Sequence, residues 1–264
     1  MPPSLNKEYE DTYREMLTCC ALNQRSHPNN LDCELAGLWP IVGTEYQSGK
    51  GTLFVGRATN GWRNKWTLRD ILNSPEKAST FLKQIKTPIE PDAQKTMAWV
   101  LEKGEGRKSP WGNASAFLRV TRDIARALGP DESDEENPLE AIAWSQLMKI
   151  APEASGNPKQ PLCDAQFYHC TKLLALEVAQ LQPKRIVVIA GYDWFSDFAK
   201  TLQLEMCQPA PGSDVVEMTA RQGEKLWVVT KRPERKKETP FVHEVVDALK
   251  SLGSDGPQTI PHSL

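Results

Sequence analysis

The residues best suited to chemistry fall in a few short segments. GRATNGWRNKW (56–66) sets two glycines in a polar loop, followed by cations beside tryptophans. Such a loop lets backbone N–H groups approach a phosphate. Arg57, Arg63, Lys65 and Arg69 occur there without an intervening acid, and Trp62 and Trp66 lie among them. Cations interleaved with aromatics suit a nucleic-acid backbone with stackable bases. The plain alternative is a strand–helix turn beside a half-buried tryptophan pair. In WSQLMKIAPEASGNPKQP (144–161), Gln146 and Lys149 leave an apolar run and enter a loop rich in Pro, Gly and Asn. A primary amide donates and accepts at once, which fits the edge of a base; the alternative is a loop-capping glutamine and a solvated lysine. KRPERKK (231–237) holds five basic residues and one acid, a charge run that also reads as a solvated face.

Other chemistries find little support. The sequence has neither a Gly-Lys-Ser/Thr phosphate loop nor a Gly-x-Ser-x-Gly elbow. Four histidines (27, 169, 243, 262) are scattered without metal-ligand spacing, and Cys19, Cys20 and Cys33 lack the CxxC pattern. The expectation is no metal and no cofactor, with activity that survives chelators. With 32 basic and 34 acidic residues, the charge of −2 is too balanced for a polycation or an acidic tail protein. No apolar run approaches the ~20 residues of a membrane span. MPPSLNKEYEDTYREM lacks the basic-then-apolar shape of a signal peptide. Together with six cysteines, this implies reduced thiols in a cytoplasm.

These segments need elements to position them. TLFVG (52–56), RIVVIAG (185–191) and LWVVT (226–230) are β-rich and continuously apolar, as strands of a parallel sheet buried on both faces are. AIAWSQL (141–147) supplies a further strand, and VVEMTA (215–220) pairs with LWVVT as a hairpin. Helical patterns occupy 116–128, 166–181, 194–202 and 240–249. Strand and helix alternate, which predicts a single layered α/β domain spanning 1–264. Residues 1–50 read as a helical extension plus loop, and 251–264 as a flexible tail. In such sheets ligands bind beyond the carboxyl ends of the strands, where three of the reactive segments fall. GYDWFSDF (191–198), after the third strand, reads as structure, with Asp193 as a helix cap.

Taken in order, GRATNGW, SPWGNASAFLRV (109–120), QLMKIAPEASGNP (146–158), RIVVIAG and KRPER resemble the uracil-DNA glycosylase superfamily over residues 51–250. The resemblance implies a three-layer α/β/α fold around a central, mostly parallel, four-stranded sheet, and a monofunctional DNA glycosylase. Such an enzyme flips a base out of DNA and hydrolyses its N-glycosidic bond, leaving an abasic site. The family's loop carries an acid or Asn two residues after the first glycine; here that position is Ala58, and Asn60 is the nearest side chain able to orient water or the sugar. The base-reading Asn of the family corresponds to Gln146, and its His to Arg232, a permanent cation able to stabilise the departing base. Trp111 would be the stacking platform, with Lys149 and Arg57 beside the base. Arg63, Lys65, Asn157, Arg235, Lys236 and Lys237 would hold DNA. The iron–sulfur branch has a cysteine at the position of Ile150, so no cluster is implied.

Uracil-specific relatives place a Tyr where this chain has Asn60, and that ring blocks substituents at the pyrimidine C5. An amide there admits a polar group, so the expected substrate is a C5-hypermodified cytosine of phage DNA such as glucosyl-hydroxymethylcytosine, in antiviral defence. The partner would be DNA, duplex with a flipped base or single-stranded, bound by a monomer. Excision of uracil or damaged bases, a catalytically inactive nucleic-acid-binding module, and a small-molecule hydrolase are the alternatives.

Overall fold

The computed structural model describes residues 3–58, 65–86, 115–129, 138–154, 156–207 and 213–254. The strands are β1 (Leu35–Gly37), β2 (Ile41–Val42), β3 (Thr52–Ala58), β4 (Ile142–Met148), β5 (Ile150–Pro152), β6 (Arg185–Ile189), β7 (Glu205–Cys207), β8 (Val216–Gln222) and β9 (Lys225–Thr230). The helices are α1 (Lys7–Asn23), α2 (Pro28–Leu31), α3 (Leu68–Asn73), α4 (Lys77–Lys86), α5 (Ala116–Leu128), α6 (Gln160–Leu181), α7 (Tyr192–Thr201) and α8 (Glu238–Ser254).

Seven strands form one mixed sheet in the order β2-β4-β3-β6-β9-β8-β7. Its centre is the expected parallel run β4-β3-β6-β9. The sheet is wider than the four strands expected because β2 adds antiparallel to β4, and the β8–β9 hairpin with β7 extends the other edge. β2 and β7 are two and three residues long, too short to leave an apolar run in the sequence. Residues 1–50 hold more than a helix and loop: β1 pairs with β5, and β2 joins the main sheet. Of the expected tail, 251–254 closes α8 and 255–264 lies outside the described residues.

Continuous apolarity is explained by two cores, one on each face of the sheet. Leu53 and Val55 of β3, with Ala143 and Leu147 of β4, pack against α1, α3, α4 and α6. Phe54, Ile142, Trp144, Val187 and Ile189 face the opposite way, against α5 and α8. The period of two along each strand therefore decides which side of the sheet a residue serves. Caps set the helix starts: Asn6 accepts from the Tyr9 amide, Thr67 forms a capping box with Asp70, and Ser115 accepts from the Leu118 amide. No helix among the described residues is long and apolar enough to cross a membrane.

Candidate functional site

A cleft of about 330 Å³ opens at the carboxyl ends of the parallel strands. That is near the lower bound of the ~300–1,000 Å³ typical of small-ligand sites. β3 contributes Gly56, Arg57 and Ala58, β4 Trp144 and Gln146, and β6 Ile189. The loop after β9 adds Arg232, Pro233 and Glu234, α5 with its cap adds Ser115, Phe117 and Leu118, and the loop after β5 adds Gly156 and Asn157.

Gln146 sits opposite Gly56 in the parallel register and is 5% exposed. Its Oε1 has no hydrogen-bond partner among the described residues. A buried acceptor without a donor is costly, so it marks a place where a ligand's donor would be favoured. Gly56 makes that placement possible: a Cβ there would lie 2.3 Å from Gln146 Oε1. Beside the amide, the rings of Phe117 and Trp144 stand 5.6 Å apart and tilted by 37°. They give the cleft an apolar aromatic wall.

Arg57 is held by a backbone carbonyl and an aromatic ring. Its Nε and Nη2 donate to the Ala190 carbonyl at 3.1 and 2.7 Å, and its guanidinium lies 4.5 Å from the ring centroid of Trp194. Gly191, at φ +90°, starts α7 immediately beside it, where a side chain would be strained. Burial, and then the like charge of Arg232, pull the Arg57 pKa below its ordinary value. Arg232 is half exposed and bound to Glu234, the one carboxylate among the described lining residues. The charged lining groups are thus two guanidiniums and one carboxylate, a net positive rim.

Of the expected site residues, Arg57, Gln146, Asn157 and Arg232 come together in this cleft. Asn60, Arg63 and Trp111 lie outside the described residues. Lys149 does not reach the cleft. It is fully buried, with Nζ 2.6 Å from Glu177 Oε1 on α6. It stands in the bend between β4 and β5, just past the strand end, and there its side chain turns to the α6 side of the sheet while Gln146 faces the cleft. Lys65 is exposed and lies 3.4 Å from Glu34. Trp66 is a core residue stacked on Phe81 at 5.1 Å, not a surface platform; Trp62 lies outside the described residues. Arg235, Lys236 and Lys237 occupy the loop between β9 and α8, outside the cleft lining, and form no ion pair within the described residues. Arg235 adopts a left-handed backbone at φ 64°.

Phe117, Trp144 and Glu234 are lining residues that the sequence reading passed over. A usable signal existed for Trp144: it is two residues before Gln146 on a strand and so shares its face. Phe117 follows the Ser115 cap by two residues and reads as ordinary helix periodicity. Cys19, Cys20, Cys33, Cys163 and Cys170 are free thiols. Among the described residues no group of three His, Cys, Asp or Glu side chains is placed to hold a metal. No protein-family model and no curated protein matches the chain.

Proposed function

We propose that this protein is a DNA glycosylase that receives a flipped pyrimidine in the cleft and hydrolyses its N-glycosidic bond. The observation that carries the reading is Gln146: a buried amide with an unpaired acceptor, in a cleft of small-ligand size, beside two aromatic rings. Stacking and edge hydrogen bonds are what offset the few kcal/mol of unstacking a base. In the proposed step the C1′–N bond breaks and its electron pair leaves with the base, whose developing negative charge Arg232 stabilises. A water oxygen bonds to C1′, and the proton it releases ends on the departed base. Asn60 orients that water or supports the sugar, and Glu234, once released from Arg232, is a second group able to do so. Arg57 lies beside the base, and Asn157 and the loop carrying Arg235, Lys236 and Lys237 contact phosphates.

The fold belonging to this reading is the uracil-DNA glycosylase type, and the preferred base is a C5-modified cytosine such as its glucosyl-hydroxymethyl form, met in phage DNA. The test is abasic-site formation on DNA that is unmodified, uracil-containing or glucosyl-hydroxymethylated. Cleavable abasic sites on the glucosylated DNA are expected. Their absence from all three would overturn the glycosylase reading, and excision of uracil alone would overturn the substrate. Asn60→Tyr should abolish activity on the bulky base. Gln146→Ala should lower excision by about fivefold to 150-fold, the equivalent of the ~1–3 kcal/mol of a two-point base contact, with DNA affinity nearly unchanged. Equal loss of binding and excision would place Gln146 on the backbone instead. The absence of a carboxylate at Ala58 favours one other reading, a nucleic-acid-binding module without activity, which salt-sensitive DNA binding with no abasic sites would identify.

A further inference from the structure

Behind Gln146, on the opposite face of the sheet, lies a fully buried cluster of Tyr9, Lys149 and Glu177. Lys149 Nζ donates to Ser145 Oγ at 2.7 Å and to the Gln146 carbonyl at 2.6 Å, and lies 2.6 Å from Glu177 Oε1. All three ammonium donors are therefore engaged. Tyr9 Oη donates to the same Glu177 oxygen at 2.6 Å. The backbone of Lys149 is held as well: its carbonyl accepts from Tyr13 Oη and from the Leu38 amide, both at 3.0 Å. One residue on, Gln166 accepts from the Ile150 amide and donates to the Ile150 carbonyl.

We infer that the Tyr9–Glu177–Lys149 cluster is a positioning device for Gln146, gripping the end of β4 from the far side of the sheet so that the amide stays in the cleft. The inference rests on the reading of Gln146 as the base-recognising group. Stability alone does not account for such a cluster. Desolvating two charges is costly, and replacing a buried ion pair by apolar residues of similar volume is often neutral or stabilising. Glu177 Oε2, moreover, is buried with no hydrogen-bond partner among the described residues. What the cluster does uniquely is bond the carbonyl of the residue whose side chain faces the cleft. An apolar core would fill the same volume without that directional hold.

The experiment replaces the cluster by apolar near-isosteres, Tyr9→Phe with Lys149→Met and Glu177→Leu, and compares it with the wild-type full chain. Thermal melting reports the fold. In isotope-labelled protein, the side-chain amide signals of Gln146, assigned by their disappearance in Gln146→Ala, report its position. Excision kinetics on the glucosylated DNA report function. The triple variant is expected to stay folded while the Gln146 amide signals broaden or move toward those of an exposed glutamine. A kcat lower by about a hundredfold with little change in KM is expected, as for misplacement of a group near the reacting atoms. Unmoved amide signals in a folded triple variant would overturn the inference. If the triple variant does not fold, Tyr9→Phe alone is read by the same signals, where a smaller displacement supports the inference and none overturns it. A displaced amide in a protein whose wild type makes no abasic sites would sink the glycosylase reading while leaving the positioning role standing.

Discussion

At the scale of single residues, the cleft depends on a pair that sequence inspection does not couple. Gly56 and Gln146 are 90 positions apart, yet they face each other across β3 and β4. The space that a Cβ at residue 56 would take is filled by the glutamine amide. Gly56→Ala should therefore push that amide aside. Because the obstructing atoms are the far end of a side chain rather than backbone, the stability loss should stay at ~1–2 kcal/mol, at the mild end of overpacking. Excision should nevertheless fall toward the level of Gln146→Ala. Urea denaturation beside abasic-site assays checks both parts; a fully active Gly56→Ala would show that the amide position is immaterial. Lys149 carries the complementary lesson. Read along the sequence, it is a polar neighbour of Gln146; in the fold, just past the end of β4, it belongs to the other core.

At the scale of elements, the cleft is lined by the start of α5, with Phe117 and Leu118 just behind the Ser115 cap, and by the loop that runs from β9 into α8. The two helices are joined by Arg119 and Glu238, with Nη2 2.6 Å from Oε1 and Nε at 3.0 and 3.1 Å from the two carboxylate oxygens. The hydrogen bonds from Arg119 hold the Glu238 carboxyl below its ordinary range. A depressed carboxyl pKa adds stability above the unfolded-state value and loses it as pH falls through the folded-state value. Glu238→Gln should thus cost ~1 kcal/mol or less at about pH 7, as expected for a partly exposed pair. The difference from wild type should shrink at an acidic pH below the folded-state pKa of Glu238, where both states are protonated. Urea midpoints of the two proteins at these pH values are the measurement, and an equal gap at both would assign the loss to packing rather than charge.

At the scale of the whole molecule, a net charge of −2 predicts no general attraction to a polyanion, so any DNA affinity must come from a local arrangement. Lys231, Arg232, Arg235, Lys236 and Lys237 are concentrated on the loop beside the cleft. If Arg235, Lys236 and Lys237 each hold a phosphate, replacing all three with alanine should flatten the slope of log affinity against log salt by about 2.7 on duplex DNA, or about 2 on single strands. Filter binding across a salt series measures this. An unchanged slope would place the phosphate contacts elsewhere.

The amino-acid sequence determined the elements that depend on local pattern. The parallel-type strands at 52–58, 185–189 and 225–230 follow from unbroken apolar runs, the 116–128 helix from its periodicity and Ser115 cap, and the crevice from the alternation of strand and helix. The same runs put Gln146 at the exit of one apolar stretch and the basic segment 231–237 after another, because polar residues at the end of an apolar run need no long-range information to recognise; within that segment Arg232 is singled out by the family resemblance. Tertiary structure alone decided three matters. It recruited β2 and β7, whose two and three residues have no pattern of their own and are held by sheet pairing. It turned Trp66 inward onto Phe81, although its neighbours are polar. Finally, it separated Gln146 from Lys149, sending one amide into the cleft and one ammonium onto Glu177, because the bend after β4 and the helix packed on the far face, neither visible in local pattern, decide which side each residue serves.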